Sequence, residues 1–158
     1  MSVRLNRKVP AFALPATGGK KVRLAELRGK KIVLYFYPKD HTPGCSRESA
    51  DFSRLAGRFA KHNAVILGVS RDNMRSHEKF REKLGLSFDL VEDQEETLCR
   101  MFGVLKEKTM FGRKVTGIER STFLIDEQGV LRQEWRKVRV DGHAAQVLTA
   151  AAGAAAKD

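Results

Sequence analysis

The segment Lys31–Tyr37, apolar after its first residue, constrains the fold of this chain more than any other feature. Its β-branched and aromatic residues continue without a break until Pro38, a pattern typical of a strand buried on both faces. A second such segment spans Ala64–Ser70. Apolar residues at helical spacing lie between the two: Phe52, Leu55, Ala56, Phe59 and Ala60. Two buried strands joined by an amphipathic helix that begins near Cys45 predict a mainly parallel sheet with helical cover.

Further patterns complete the predicted order of elements. They are an N-terminal hairpin around Gly18-Gly19, a polar helix from about Asn73 to Leu84 that ends at Gly85, a short helix with a capping box of Asp93 and Glu96 that ends at Gly103, a hairpin of Ser121–Ile125 with Val130–Trp135, and a last helix from about Gly142 to Ala151. This order predicts an α/β protein with a thioredoxin-like fold, in which helices flank a central mixed sheet and a β-hairpin forms an N-terminal extension. A small flavodoxin-like domain is the alternative, but residues 1–44 lack its phosphate-binding glycine loop.

The length of 158 residues fits a single domain over residues 1–158 with one sizeable core. The Ala-rich tail over residues 150–158 is expected to fray. The 2 cysteines exclude a disulfide-rich secreted scaffold, and no apolar run reaches the ~18 residues of a membrane span. Residues Met1–Leu14 lack the pattern of a secretory signal, so we expect a cytoplasmic protein in a reducing environment.

The formal net charge is +11, from 30 Lys and Arg residues against 19 Asp and Glu residues. Such a charge assists encounters with anions, including nucleic acids and acidic proteins. The basic residues are spread along the chain in short groups, without a long basic run or a motif that reads nucleic acid. We therefore expect a solvated basic surface with no dedicated nucleic-acid site. Because no apolar run is long enough to span a bilayer, we also expect no membrane partner.

The strongest chemical signal is Cys45, at the predicted turn from the first long strand into the amphipathic helix. Unpaired N–H groups and the positive end of the helix dipole stabilise a thiolate in the first turn of a helix. The hydroxyl of Thr42 can hydrogen-bond both the thiolate and a substrate oxygen. Pro43-Gly44 allows a tight backbone path, and the proline ring shields the sulfur from bulk water. These features predict a nucleophilic cysteine.

The spacing P-x-x-x-T-x-x-C, formed by Pro38, Thr42 and Cys45, resembles the active-site signature of the peroxiredoxins. Tyr35–Asp40 followed by Thr42–Cys45 is similar to the peroxiredoxin Q subgroup, also called bacterioferritin comigratory proteins. The resemblance continues along most of the chain, through Leu24–Leu34, Gly68–Ser70, Phe102–Val104 and Gly117–Asp126.

This resemblance implies a thiol peroxidase that reduces hydrogen peroxide and organic hydroperoxides to water or alcohols. The thiolate of Cys45 attacks the O–O bond and becomes a sulfenic acid. Arg120 carries over as the active-site arginine, whose guanidinium favours the thiolate and orients the peroxide oxygens. The resemblance implies Cys45, Thr42 and Arg120 as catalytic residues, and Pro38, Pro43, Gly44 and Glu48 as substrate-binding or supporting residues. Glu48, one helical turn after Cys45, is expected to hold Arg120.

The chain departs from the subgroup where many members carry a resolving cysteine. Five residues after Cys45 stands Ala50, and the predicted helix over Asn73–Leu84 contains no cysteine. Only Cys99 remains as a possible resolving residue, and a Cys45–Cys99 disulfide needs Cα atoms within about 7 Å, which implies local unfolding. We therefore expect a one-cysteine mechanism, in which thioredoxin, glutaredoxin or a low-molecular-weight thiol reduces the sulfenic acid.

Neither a metal nor another cofactor is expected. The 2 Cys and 4 His residues show neither a C-x-x-C pair nor paired-histidine spacing. His41 lies close to Cys45 in sequence, but this proximity does not establish a protease-like pair, and we interpret His41 as a solvated loop residue.

Other classes of function remain open at this point. A thiol–disulfide oxidoreductase needs the first cysteine of a C-x-x-C pair, which Thr42–Cys45 lacks. A non-enzymatic binding module would use the basic surface, and a peroxide sensor would use the same chemistry of Cys45. The preferred peroxide is also open, although apolar residues of the loop Thr109–Gly112 can contact a larger hydroperoxide. The resemblance favours a monomer.

Overall fold

A computed structural model describes the backbone of residues 2–156 and the side chains of residues 2–153. Its strands are β1 (Ala13–Ala16), β2 (Lys20–Arg23), β3 (Lys31–Phe36), β4 (Ala64–Ser70), β5 (Asp89–Glu92), β6 (Leu105–Met110), β7 (Arg113–Ile118), β8 (Ser121–Ile125) and β9 (Leu131–Trp135). Its α-helices are α1 (Pro43–Lys61), α2 (Met74–Leu84), α3 (Thr97–Met101) and α4 (His143–Ala156), and a 3-10 helix spans Leu24–Leu27.

Seven of these strands form one mixed sheet in the order β2-β1-β5-β4-β3-β8-β9. The central strands β3, β4 and β5 are parallel, and the flanking pairs are antiparallel. Strands β6 and β7 form a separate antiparallel pair. The predicted central mixed sheet is therefore confirmed. Strand β3, which leads into α1, lies between β4 and β8.

Alternation along β3 divides the core into two hydrophobic clusters on opposite faces of the sheet. Leu34 and Phe36 point to one face, and Tyr35 and Tyr37 point to the other. The cluster on the first face, here the α3 cluster, includes Leu34, Phe36, Leu98, Cys99, Phe102 and Phe123. The cluster on the second face, here the α1 cluster, includes Tyr35, Tyr37, Cys45, Phe52, Phe80 and Val147. The two cysteines are thus buried in different clusters.

The elements with the clearest apolar patterns lie where the sequence predicts them. Strand β4 has the predicted bounds, β3 ends one residue early, and the hairpins β1–β2 and β8–β9 are both present. Helix α2 ends as predicted at Gly85, which adopts the left-handed conformation, and it begins after Asn73, whose side chain accepts a hydrogen bond from the N–H of Ser76. These predictions depend on local signals alone.

Two strand regions were missed. Strand β5 has only four residues, too few to show a period, and every residue of β6 is exposed or half-buried. The sequence predicts a loop over Thr109–Gly112, but Thr109 and Met110 are the last two residues of β6, and only Phe111-Gly112 form the turn into β7. Helix α4 continues past the predicted end at Ala151 to Ala156, and the last two residues of the tail lie outside the described residues.

The expected capping box before α3 is wrong. Asp93 does cap the helix, because its carboxylate accepts hydrogen bonds from the N–H groups of Leu98 and Cys99. The carboxylate of Glu96 instead binds Arg71 and Arg100, and the N–H of Asp93 donates to a carbonyl of β4. The second hydrogen bond of a capping box, from the N–H of Asp93 to the carboxylate of Glu96, is therefore absent. None of the helices that the structure describes combines the length and apolarity that crossing a membrane requires.

Candidate active site

The site lies at the carboxyl ends of the parallel strands, where β3 leads into α1. Thr42 is the N-cap of α1 and Pro43 its first residue, so Cys45 lies in the first turn of the helix as predicted. The register of β3 with β8 pairs Phe36 with Ser121. Arg120 directly precedes that residue, and the sheet therefore brings Arg120 to the start of α1.

Arg120 and Cys45 are in direct contact. The Nη2 of Arg120 donates a hydrogen bond of 3.4 Å to the Sγ of Cys45, which is 1% exposed. Gly44 makes this approach possible, because a Cβ at that position would lie 3.3 Å from the same Nη2. A cation and the N-terminal end of a helix both stabilise negative charge on a buried sulfur.

Glu48 binds the other arm of the guanidinium, as expected from the sequence. The Nη1 of Arg120 donates to the Oε1 of Glu48 over 2.6 Å, and Glu48 is 1% exposed. Burial raises the pKa of Glu48 to about 7, although Arg120 acts in the opposite direction. Burial also opposes the charge of Arg120, but Glu48 and Cys45 outweigh it and raise the pKa of Arg120, which stays cationic. One guanidinium therefore joins the sulfur to the carboxylate.

The side chain of Thr42 differs from its expected orientation. Its hydroxyl donates to the carbonyl of Lys39 over 2.7 Å, which closes the turn before α1, and not to the sulfur. A hydroxyl has one proton to donate, so its remaining capacity is that of an acceptor. Pro38, Pro43 and Gly44 are exposed to solvent, whereas Cys45 is buried.

A buried polar network holds the loop between β3 and α1, and the sequence analysis missed it. Asp40 accepts hydrogen bonds from the hydroxyl of Tyr37 over 2.6 Å and from that of Ser76 over 2.8 Å. The Nδ1 of His77 lies 2.8 Å from the same carboxylate, and its Nε2 lies 3.0 Å from the carbonyl of Val91. Both ring nitrogens thus face acceptors, which is the pattern of an imidazolium paired with a carboxylate. These contacts fasten the loop before Cys45 to α2 and β5.

No sequence signal connects the partners of this network, because 37 residues separate Asp40 from His77. Asp40, Asp72 and His77 together form a compact group of metal-ligand types, with atoms within 4.8 Å of one another. Protein donors already occupy it, since Asp72 accepts from the N–H of Asp40 over 2.8 Å. His41, by contrast, is exposed in the left-handed conformation, and its ring packs edge-on against Phe80.

A second buried histidine lies behind β8. The Nε2 of His143 is 2.7 Å from the Oγ1 of Thr122, and its ring packs edge-on against Phe52 and Trp135. Burial lowers the pKa of His143 to about 4, and the positive charge of Arg120 acts in the same direction. His143 is therefore neutral at physiological pH and packs beneath the site without adding charge.

Cys99 has a different environment on the other face of the sheet. It is 0% exposed in the α3 cluster, and its backbone N–H donates to the carboxylate of Asp93 over 2.8 Å. Burial raises the pKa of Cys99 above its usual range, and the hydrogen bond and charge of Asp93 add to this effect. Cys99 and Cys45 both remain free thiols.

Comparisons with known proteins agree with this site. The family profile of the AhpC/TSA family matches residues 5–134. Peroxiredoxin Bcp of Xanthomonas campestris is 53% identical over 141 residues, which are 88% of each chain.

Two solved structures extend the likeness to the whole fold. A cysteine-to-serine mutant of PrxQ from Xylella fastidiosa superposes with a TM-score of 0.92 at 41% identity, over 98% of this chain and 99% of that one. The bacterioferritin comigratory protein of Xanthomonas campestris, solved in complexes described as giving insight into its alkyl peroxide reduction activity, has a TM-score of 0.88 at 50% identity, over 91% and 92%. The thioredoxin-like fold is thereby confirmed. The chain belongs to the AhpC/TSA family, within its peroxiredoxin Q or Bcp branch, and is a thiol peroxidase.

Proposed function

We propose that this chain reduces hydrogen peroxide and organic hydroperoxides through a sulfenic acid on Cys45, which an external thiol then reduces. The observation that carries the proposal is the guanidinium of Arg120, which donates to the sulfur of Cys45 and to the carboxylate of Glu48 at once. A fixed cation beside a buried sulfur favours the thiolate and leaves donors for the oxygens of a peroxide.

In the first step the thiolate of Cys45 attacks the outer oxygen of the peroxide. An S–O bond forms, the O–O bond breaks, and the leaving alkoxide or hydroxide takes up a proton to become an alcohol or water. The sulfur loses two electrons and the peroxide gains them. Arg120 stabilises the charge that develops on the leaving oxygen, and the N–H groups of Gly44 and Cys45 hold the peroxide in line.

Thr42 orients the attacked peroxide. Because its hydroxyl proton is directed to Lys39, its oxygen presents lone pairs to a peroxide O–H. Pro38 and Pro43 limit the access of water to the sulfur, which agrees with their exposure in the segment that leads to Cys45, itself only 1% exposed. Alkyl peroxide reduction is named for the Xanthomonas campestris relative, and we extend it to this chain.

We propose a one-cysteine mechanism for the second step. An external thiolate attacks the sulfenic sulfur, water leaves, and a mixed disulfide forms; a second thiol releases the reduced Cys45 and an external disulfide. Two features support this step: Ala50 and α2 supply no cysteine, and Cys99 is buried in a cluster on the opposite face of the sheet. Thioredoxin, glutaredoxin or a low-molecular-weight thiol can act as the reductant.

The test is the intact mass of pre-reduced protein after brief treatment with stoichiometric hydrogen peroxide and no added thiol. We expect a gain of one oxygen, placed on Cys45 by peptide mapping, and further oxidation with excess peroxide. Loss of two hydrogens in a monomer would assign Cys99 as the resolving residue. An unchanged mass would contradict the peroxidase mechanism itself.

We further propose that residues 1–158 act as one domain, as a monomer and in the cytoplasm. The seven-stranded sheet with apolar clusters on both faces supports a single domain, because elements of the same chain cover each face. Light scattering of the reduced and the oxidised protein tests it, and a dimer in both states would contradict the monomer.

A further inference from the structure

The β6–β7 hairpin carries a large apolar group that lies in water. Phe111, at its tip, is 98% exposed, and the adjacent Met110 is 50% exposed. Val115, on the returning strand, is 38% exposed. These are three of the four large hydrophobic residues exposed in the described chain, and the fourth, Leu5, lies elsewhere. Their concentration on one hairpin points to a surface that meets a partner.

The register of the hairpin separates its two faces. Leu105 pairs with Ile118 and Glu107 pairs with Thr116, so these residues share one face, here the inner face. Leu105 and Ile118 pack against the α3 cluster. The other face, here the outer face, consists of Lys106, Lys108, Met110, Arg113, Val115 and Gly117. The pleat thus places apolar and basic side chains together on the side that points away from the core.

The charge of the outer face is entirely positive. It carries Lys106, Lys108 and Arg113 and no carboxylate, and none of the three forms an ion pair within the described residues. The one acidic residue of the two strands, Glu107, lies on the inner face, where it pairs with Lys114 at 3.6 Å. The net charge of +11 for the whole chain acts in the same sense at longer range.

We propose that the outer face and Phe111 dock on the surface of an anionic lipid bilayer. Exposed apolar side chains gain free energy when they enter the interface between head groups and acyl chains, and Lys and Arg beside them bind anionic head groups. Two of the three apolar groups, Met110 and Val115, are aliphatic and cannot stack on a base, so the chemistry fits lipid better than nucleic acid. The expectation of no membrane partner concerned segments that span a bilayer, whereas surface docking needs no span.

Docking would hold the reactive site within roughly 30 Å of the membrane surface. Strand β7 ends at Ile118, and a single residue separates this strand from Arg120 of the site. Phe111 is nine residues from Arg120 in the sequence, which limits their separation to roughly 30 Å at ~3.3 Å per residue. This consequence rests on the proposed function, since hydroperoxides that leave the membrane surface would then be released close to Cys45.

The test is sedimentation of the full chain with vesicles of phosphatidylcholine alone and of phosphatidylcholine mixed with an equal part of phosphatidylglycerol. We expect binding to the anionic vesicles only, and weaker binding at high salt because salt screens the attraction. Phe111→Ala should weaken the binding by about tenfold, and Lys108→Gln by about fivefold. Lys114→Gln, which removes the same charge from the inner face, is the matched control and should have the smaller effect.

Equal binding to neutral vesicles, binding that Phe111→Ala leaves unchanged, or no binding to either vesicle would overturn the proposal. Binding to a single-stranded oligonucleotide in place of vesicles would assign the outer face to nucleic acid and overturn it as well. Hydrogen peroxide turnover without vesicles should be the same in all these variants. A failure of docking therefore leaves the peroxidase intact, and a failure of the peroxidase leaves the sedimentation result unaffected.

Discussion

Cys45 and Cys99 are equally hidden from solvent, yet their surroundings have opposite electrostatic character. Cys45 is 1% exposed and Cys99 is 0% exposed. Around Cys45 lie the guanidinium of Arg120, at 3.4 Å from the sulfur, and the first turn of a 19-residue helix. Around Cys99 lie the carboxylate of Asp93 and the aromatic side chains of the α3 cluster.

The difference shows that burial does not decide whether a cysteine reacts. Burial alone disfavours a thiolate, as at Cys99, where it raises the pKa together with Asp93. A buried thiolate forms only where a cation and backbone N–H groups replace the stabilisation lost with the water. Cys45 has both, and substitution of each partner measures how much it contributes.

The largest expected effect separates the two cysteines directly. Cys45→Ser should remove nearly all thiol-supported peroxidase activity, because the sulfur of Cys45 is the nucleophile that Arg120 contacts. Cys99→Ala should retain it, since Cys99 serves packing in the α3 cluster. Peroxide consumption with thioredoxin and with dithiothreitol measures both variants. Loss of activity in folded Cys99→Ala would contradict a packing role and assign Cys99 as the resolving cysteine.

Removal of the cation should be the next largest effect. Arg120→Met leaves the sulfur of Cys45 without its 3.4 Å donor, and we expect kcat/KM for hydrogen peroxide to fall about 10²- to 10³-fold. Arg54→Met is the control, because Arg54 is 68% exposed on the same helix as Cys45 and pairs with Asp51. If both variants kept the activity of the wild type, the thiolate would owe its reactivity to the helix alone.

Glu48 gives a prediction on stability against pH. Its pKa in the folded protein, about 7, lies above the ordinary value of 4.5, so the folded state binds this proton more tightly than the unfolded state. The resulting stability is present below the ordinary pKa and is lost as pH rises through about 7. Glu48→Gln does not titrate, and its free energy of unfolding relative to the wild type should therefore rise by ~2–3 kcal/mol from about pH 5 to about pH 8.

Urea unfolding of both proteins at the two pH values measures this difference. Glu82→Gln, at an exposed position of α2, is the control and should show little change with pH. A constant difference between Glu48→Gln and the wild type would mean that Arg120 compensates the buried carboxylate fully, so that folding leaves the pKa of Glu48 at its ordinary value.

The smallest expected effect tests the close approach at Gly44. In Gly44→Ala the new Cβ would lie 3.3 Å from the Nη2 of Arg120, which must yield by a few tenths of an ångström. We expect kcat/KM to fall by about three- to tenfold, because the donor geometry around the sulfur shifts. Gly57→Ala on the same helix meets no atom within 4 Å, and it should keep full activity while gaining ~0.5–1 kcal/mol of stability. Equal activities in the two variants would show that the position of Nη2 tolerates displacement.

Local signals predicted most of the fold. The doubly buried segments that became β3 and β4, the apolar face of α1 and the caps of α2 are all properties of consecutive residues. Strand β5 and the β6–β7 hairpin escaped prediction, because the first is too short and the second is held by pairing between strands whose side chains face water. The buried pair of Asp40 and His77 escaped for a related reason, since neither residue has a local feature that distinguishes it from an exposed one.

The sequence by itself determined that Cys45 stands at the start of an amphipathic helix, and its resemblance to peroxiredoxins named Arg120 and Glu48 as partners. Only the tertiary structure decided which cysteine meets a cation. The antiparallel register of β3 with β8 brings Arg120 across 75 residues to Cys45, and the packing of α3 against the other face of the sheet places Cys99 in the opposite cluster. The physical reason is that a charge acts on a thiol over a few ångströms, and such distances between remote residues are set by strand pairing.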